Sequence, residues 1–130
     1  MSAPVNKNMQ ILIVEDNTTM RRIVRDLVKQ IGFKNTDEAI DGTDALVKLN
    51  EKAYDFIISD WHMEPMTGLD LLKNVRAHEK LKRIPFLMVT AESKPENILA
   101  AKTAGVSNYI IKPFNAQTLK TKMMSIFGNF

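Results

Sequence analysis

Four short apolar runs, each followed by a polar residue, dominate the pattern of this chain. They occupy residues 11–14, 56–59, 86–89 and 109–111. None of them shows the regular alternation of apolar and polar residues that marks a strand with one face in solvent. Continuous runs of this length predict strands of a parallel sheet that are buried on both faces.

Stretches with helical spacing separate these runs. Apolar residues recur three and four positions apart over 20–31, and Gly32 follows as the predicted end of this first helix. A weak second strand is predicted over 35–39. Later helices are predicted to begin near Gly42, Gly68, Pro95 and Asn115, the fourth with Ile98, Leu99, Ala101 and Ala104 as apolar residues. The alternation predicts one α/β domain, a doubly wound parallel sheet of five strands with five helices.

Polar residues at the strand ends are expected to meet at one edge of the sheet, because parallel strands finish on the same side. They are Glu15, Asp16, Asp60, Thr90 and Lys112. Clustered carboxylates raise each other's pKa unless a cation compensates, and an all-oxygen cluster suits a hard ion such as Mg²⁺. A carboxylate, a hydroxyl and a lysine also suit nucleophilic attack on phosphorus. Taken alone, the pattern leaves open that these residues are simply solvated strand ends.

The composition is that of an ordinary soluble domain. Its 130 residues are 45% hydrophobic and 25% charged, enough for one domain with a hydrophobic core. Residues 1–8 lack the apolar segment of a secretory signal and are predicted as a short polar lead-in to a single domain over 9–130. No run approaches the ~20 apolar residues that span a bilayer. The absence of cysteine favours a reducing cytoplasm.

The net charge of +3 does not by itself indicate a nucleic-acid partner. Eighteen basic residues are offset by fifteen acidic ones, and no long run of like charges occurs. Solvated helix faces account for the basic excess, which collects near the C-terminal end. The glycine-rich phosphate loops of nucleotide-binding proteins are absent from the sequence, which argues against a bound nucleotide.

Five motifs in register resemble those of response-regulator receiver domains, most closely the stand-alone chemotaxis receivers. They are VEDN at 14–17, SDW at 59–61, MTG at 66–68, VTAE at 89–92 and YIIKPF at 109–114. Together they extend over nearly the whole chain. The resemblance implies the flavodoxin-like strand order 2-1-3-4-5, and a cis peptide bond between Lys112 and Pro113.

The resemblance also implies a Mg²⁺-dependent phosphoacceptor site. Asp60 matches the phosphorylated aspartate of the family. Mg²⁺ would be bound directly by Asp16 and Asp60 and by the backbone carbonyl of His62, with Glu15 acting through water. Thr90 and Lys112 match the hydroxyl and the lysine that contact the phosphoryl group.

Three further residues match positions that control signalling in the family. Tyr109 matches the aromatic residue that turns inward on activation. His62 and Glu92 match the two positions that flank the path of the attacking water, and the chemotaxis receivers usually have asparagine where His62 stands. We therefore hypothesise that His62 alters the lifetime of the aspartyl phosphate. A second departure is Glu64, which stands where the family usually has proline, and Pro65 follows it.

The implied function is that of a two-component chemotaxis regulator. A histidine kinase would phosphorylate it, and the fourth helix, fifth strand and fifth helix would then control the flagellar motor, with a phosphatase as a further partner. That face carries Pro95, Lys102 and Lys120 where chemotaxis receivers commonly have a lysine, a small residue and an acid. A phosphate sink or relay that does not bind the motor is therefore the alternative.

A third hypothesis is a small Mg²⁺-dependent phosphohydrolase. It is disfavoured because the sequence indicates neither a cap domain nor a substrate pocket. The protein is thus predicted to be a signalling phosphoacceptor and not an enzyme on external substrates. It is expected to be a cytoplasmic monomer, without nucleic-acid or membrane partners.

Overall fold

The computed structural model describes residues 7–91 and 94–130. Within these ranges five strands form one parallel sheet in the order β2-β1-β3-β4-β5. The strands are β1 (Ile11–Val14), β2 (Thr36–Ala39), β3 (Phe56–Asp60), β4 (Phe86–Thr90) and β5 (Asn108–Ile111). The predicted fold class and strand order are confirmed.

Five helices connect and follow the strands in the described part of the chain. They are α1 (Thr18–Ile31), α2 (Gly42–Glu51), α3 (Gly68–Ala77), α4 (Pro95–Thr103) and α5 (Ala116–Phe127). Four of them begin at a side chain that accepts a backbone N–H of the first turn, which satisfies one otherwise unpaired donor. These capping residues are Asn17, Asp41, Thr67 and Asn115.

The hydrophobic core lies on both faces of the sheet. On one face, side chains of α2 and α3 such as Ala45 and Leu72 pack against Leu12 and Ile57 of the strands. On the other face, Val28 of α1 and the apolar side of α5 pack against the alternate strand positions. Burial on both sides explains why β1, β3 and β4 read as continuous apolar runs, since neither face meets water.

The apolar residues of the fourth helix do not share one buried face. Leu99 is 63% exposed, whereas Ala101 is buried. Ile98, Leu99, Ala100 and Ala101 are consecutive, and neighbouring residues of a helix differ by about 100° in direction, so they cannot all face the core. The apolar residues of α4 are therefore divided between the core and the surface.

Two sequence predictions fall on residues outside the described ranges. These are the first six residues of the lead-in and the role of Glu92. The Lys112–Pro113 peptide bond is cis, as the resemblance implied, and the Glu64–Pro65 bond is also cis. In the described ranges no helix has the length and apolar character needed to cross a membrane.

Candidate functional site

The carboxyl edge of the sheet gathers the polar residues that end the strands. Asp60 is the last residue of β3 and Thr90 the last of β4, while Lys112 directly follows β5. Glu15 directly follows β1 and is only 3% exposed, compared with 6% for Asp60 and 3% for Thr90. Buried polar groups need partners, because an uncompensated charge in the interior is costly.

Lys112 is the cation that faces this acidic group. Its Nζ lies 2.9 Å from Asp60 Oδ1 and 3.3 Å from Glu15 Oε1. Asp16 is exposed, yet it offers a carboxylate oxygen within 4.8 Å of oxygens of Glu15 and Asp60. Among the described residues, Lys112 is therefore the ammonium group that faces these three carboxylates. The net charge of the cluster is negative.

Burial raises the pKa of Glu15 to about 8, and the neighbouring Asp60 adds to this effect while Lys112 opposes it. Burial also works against the Lys112 ammonium. Its contacts with Asp60 and Glu15 outweigh this, so the pKa of Lys112 is raised. The protonation of Glu15 and that of Lys112 thus depend on each other and on the charge of Asp60.

The donor set fits a hard divalent cation. Every candidate ligand is a carboxylate oxygen, which is the chemistry that Mg²⁺ prefers. Glu15 Oε2 and Asp60 Oδ1 are buried, and neither has an aligned hydrogen-bond donor among the described residues, although Lys112 Nζ stands at ion-pair distance from the latter. A cation would satisfy both oxygens.

An open groove leads from solvent to the acidic cluster. It is lined by Asp16, His62, Met63, Glu64 and Thr67. The side chain of His62 is exposed at this groove, and Trp61, next to Asp60, is half-buried. The groove thus exposes the Asp16 end of the acidic cluster to solvent.

Tyr109 lies away from the acidic cluster, on the face of β5 that contacts the α2 and α3 side of the core. Its ring is half-buried, and Lys122 Nζ of α5 lies 5.1 Å from the ring centroid. The ring of Tyr109 therefore lies partly exposed between β5 and α5.

Sequence reasoning missed two residues that shape the site. Arg21 of α1 donates from Nη1 to the backbone carbonyl of Glu15 at 2.9 Å. The N–H of Gly68 donates to the Trp61 carbonyl at 2.8 Å, which docks the start of α3 onto the loop after Asp60. Neither contact could be predicted from a sequence pattern. Each one joins a donor in a helix to a backbone carbonyl in a loop, and such a contact depends on how the helix packs.

The raised pKa of Glu15 predicts that the metal-free protein loses stability as the pH rises from about 6 to 8. The folded state keeps the proton of Glu15 in a range where the unfolded chain, with an ordinary pKa of 4.5, has released it. This stabilisation is therefore complete below pH 4.5 and disappears as the pH passes the folded-state pKa of about 8.

The measurement is thermal unfolding in EDTA across this range. The Tm of the wild type should fall with rising pH, whereas Glu15→Gln, which cannot titrate, should give a flatter profile. Parallel profiles for the two proteins would contradict the assignment of the titration to Glu15.

Comparison with known proteins places these features in a family. The model of the response regulator receiver domain matches residues 11–124. The chain is 56% identical to chemotaxis protein CheY-3 of Vibrio cholerae over 127 residues, which cover 98% of both chains. It is 55% identical to chemotaxis protein CheY of Pseudomonas aeruginosa, covering 92% of this chain and 96% of that one. The structure of Vibrio cholerae CheY4 superposes with a TM-score of 0.85 at 34% identity, covering 92% of this chain and 98% of that chain.

Proposed function

The chain belongs to the response regulator receiver domain family, and from this membership we propose that it is a chemotaxis regulator phosphorylated on Asp60. The observation that carries the proposal is the buried Asp60 carboxylate, held against Lys112 and close to the exposed Asp16 carboxylate. We further propose that residues 9–130 form one receiver domain, which acts as a cytoplasmic monomer.

The proposed reaction transfers a phosphoryl group from a histidine of the kinase. A carboxylate oxygen of Asp60 forms a bond to phosphorus while the bond from phosphorus to the histidine nitrogen breaks, and that nitrogen takes up a proton. Lys112 neutralises negative charge that develops on the phosphoryl oxygens, and the hydroxyl of Thr90 binds one of them. In the later hydrolysis, water attacks the phosphorus and the Asp60 carboxylate leaves.

Mg²⁺ is the proposed cofactor. Asp16, Asp60 and the backbone carbonyl of His62 would hold it directly, and Glu15 would act through a water molecule. The ion, when bound, neutralises charge between the acidic residues and the incoming phosphoryl group. Displacement of the Glu15 proton is part of binding, since a carboxylate must be ionised to serve a metal.

The proposed switch runs from the phosphoryl group to the α4–β5–α5 face. Phosphate on Asp60 adds negative charge and acceptor oxygens, which favour movement of Thr90 and Lys112 toward it. The space that Thr90 leaves is then filled by Tyr109, whose half-buried position gives it room to move inward. The phosphoryl group thus shifts the population of two conformations of this face.

The proposed output is control of the flagellar motor through that face, because the relatives named above are chemotaxis proteins. The alternative, a phosphate sink or relay, is favoured by one observation: Lys102 of α4 is exposed on the face that would dock the motor. A titration with a peptide of the flagellar switch protein separates the two. Binding strengthened by phosphorylation supports motor control, whereas no binding together with rapid turnover supports the sink.

Trp61, the only tryptophan in the chain, offers a direct test of the phosphoacceptor proposal. Its fluorescence should change on addition of Mg²⁺ and change further with acetyl phosphate, then return as the phosphoryl group is hydrolysed. Asp60→Asn should remove the acetyl phosphate response, because the amide is not a nucleophile toward phosphorus. A folded wild type that responds to neither addition would refute the proposal.

Replacement of His62 should change the lifetime of the phosphorylated state. The imidazole is exposed at the groove beside Asp16, two residues along the chain from Asp60. Asparagine is smaller and its amide can orient a water molecule, so we expect His62→Asn to hydrolyse the aspartyl phosphate several-fold faster. The decay of Trp61 fluorescence after removal of acetyl phosphate measures the rate, with Glu64→Gln on the same groove as control. Equal decay rates for wild type and His62→Asn would contradict the prediction.

A further inference from the structure

Arg21 joins the acidic end of β1 to the neighbouring strand. Its guanidinium Nη1 donates to the Glu15 carbonyl at 2.9 Å, and its Nε donates to Glu38 Oε1 at 3.0 Å. The side chain is only 14% exposed, although it starts from the first turns of a surface helix. One planar group therefore bonds two elements at once, which a guanidinium does better than any other side chain.

The backbone of α1 at Arg21 is itself held in place by hydrogen bonds. Asn17 caps α1 by accepting from the Met20 amide at 2.9 Å, and the Arg21 amide donates to the Asn17 carbonyl at 2.9 Å. On the far side, Glu38 sits in β2, paired in register with Ile13 of β1. The guanidinium is thus held between a capped helix and the edge strand β2.

These contacts fix the two peptide groups on either side of the Glu15 Cα, where the acidic cluster begins. The Glu15 amide donates to the Ala39 carbonyl of β2 at 3.1 Å, and the Glu15 carbonyl accepts from Arg21. Past this carbonyl the chain leaves the sheet, with Asp16 as the next residue. The orientation of this peptide therefore sets the direction in which the carboxylates of both Glu15 and Asp16 leave the backbone.

We propose that Arg21 is a positioning residue for the divalent-cation site, acting through the Glu15 carbonyl. The inference rests on the proposed function, because it concerns the Mg²⁺ site described there. Arg21 does not touch the ion. It holds the peptide that presents two of the three carboxylates, so that they are already directed at the site before the cation arrives.

The charge of Arg21 and its hydrogen bonds act in opposite directions on the cation. A guanidinium near the acidic cluster repels Mg²⁺, so loss of the charge alone would strengthen binding. Loss of the positioning contact would weaken binding, because the freed peptide must be ordered when the ion binds. The sign of the change therefore separates the two roles.

The experiment is a Mg²⁺ titration followed by Trp61 fluorescence at constant ionic strength and pH. Arg21→Gln and Arg21→Lys should both raise the dissociation constant for Mg²⁺ by about tenfold, the lower end of the range for residues that orient metal ligands. Lysine retains the charge but has a single donor group in place of the fork. Arg25→Gln is the matched control, because Arg25 Nη1 lies 3.6 Å from Glu38 Oε2, while the hydrogen bond to the Glu15 carbonyl comes from Arg21.

Thermal unfolding in EDTA separates positioning from general stability. The Tm of Arg21→Lys should stay close to that of Arg25→Gln, while their Mg²⁺ affinities differ. Unchanged or tighter Mg²⁺ binding by both Arg21 variants would overturn the inference, and so would an equal loss in Arg25→Gln. A wild type that does not bind Mg²⁺ would instead refute the proposed function itself, and this result is visible before any variant is made.

Discussion

Replacement of Lys112 by methionine should slow phosphoryl transfer from acetyl phosphate to Asp60 by about 10²–10³-fold, the usual effect of removing one group that stabilises transition-state charge. Lys112 Nζ contacts both buried carboxylates, at 2.9 Å from Asp60 and 3.3 Å from Glu15. Methionine has a similar length and keeps the apolar contacts of the chain, but brings no charge. The initial rate of the Trp61 fluorescence change with acetyl phosphate, at saturating Mg²⁺, measures the transfer.

Saturating Mg²⁺ is needed because Lys112 also affects protonation. Lys112 lowers the pKa of Glu15, so without it that carboxyl should hold its proton to higher pH and compete with the cation. Lys120→Met, a substitution of the same chemistry on α5, serves as the control and should transfer at the wild-type rate. If Lys112→Met also transferred at that rate once Mg²⁺ is saturating, the proposed role of the ammonium would be wrong.

The residues of the acidic edge could be predicted because their placement follows from simple rules. Each follows a buried run, and parallel strands end on the same side, so Glu15, Asp60 and Lys112 had to approach one another. Their proposed roles could not be predicted from this geometry. The assignments of Thr90 as switch hydroxyl and Tyr109 as switch aromatic came from resemblance to the receiver family.

The rest of the site depends on contacts that the sequence does not encode locally. Arg21 is followed by Arg22 in the same helix, and nothing in the pattern distinguishes the one that bonds to Glu15. The exposure of Leu99 could not be predicted either. The short α4 has more consecutive apolar residues than one helix face can hold, and packing decides which of them is exposed.

Gly68 allows the start of α3 to approach the loop after Asp60, and its replacement by alanine should destabilise the protein by about 3 kcal/mol. A Cβ at this position would lie 2.1 Å from the backbone oxygen of Asp60 and 2.9 Å from both Met88 Sδ and Trp61 Cα. Two of these neighbours are backbone atoms that cannot rotate away. Relief of the overlap must therefore move α3 or the Asp60 carbonyl, which also breaks the bond from the Gly68 amide to Trp61.

Gly42→Ala provides a matched control, since Gly42 and Gly68 are both buried and both open a helix. The Cβ at Gly42 meets side-chain atoms of Met66 at 2.8–2.9 Å. The sulfur and Cγ of Met66 can rotate away, and its Cβ needs a shift of only a few tenths of an ångström in an exposed loop, so this variant should lose less stability than Gly68→Ala, whose Cβ would lie 2.1 Å from a backbone oxygen. Denaturant unfolding gives the two free energies, and Mg²⁺-dependent Trp61 fluorescence reports whether the Asp60 loop has moved. Equal losses in both variants would show that helix-initial glycine matters generally, and not the approach of α3 to Asp60.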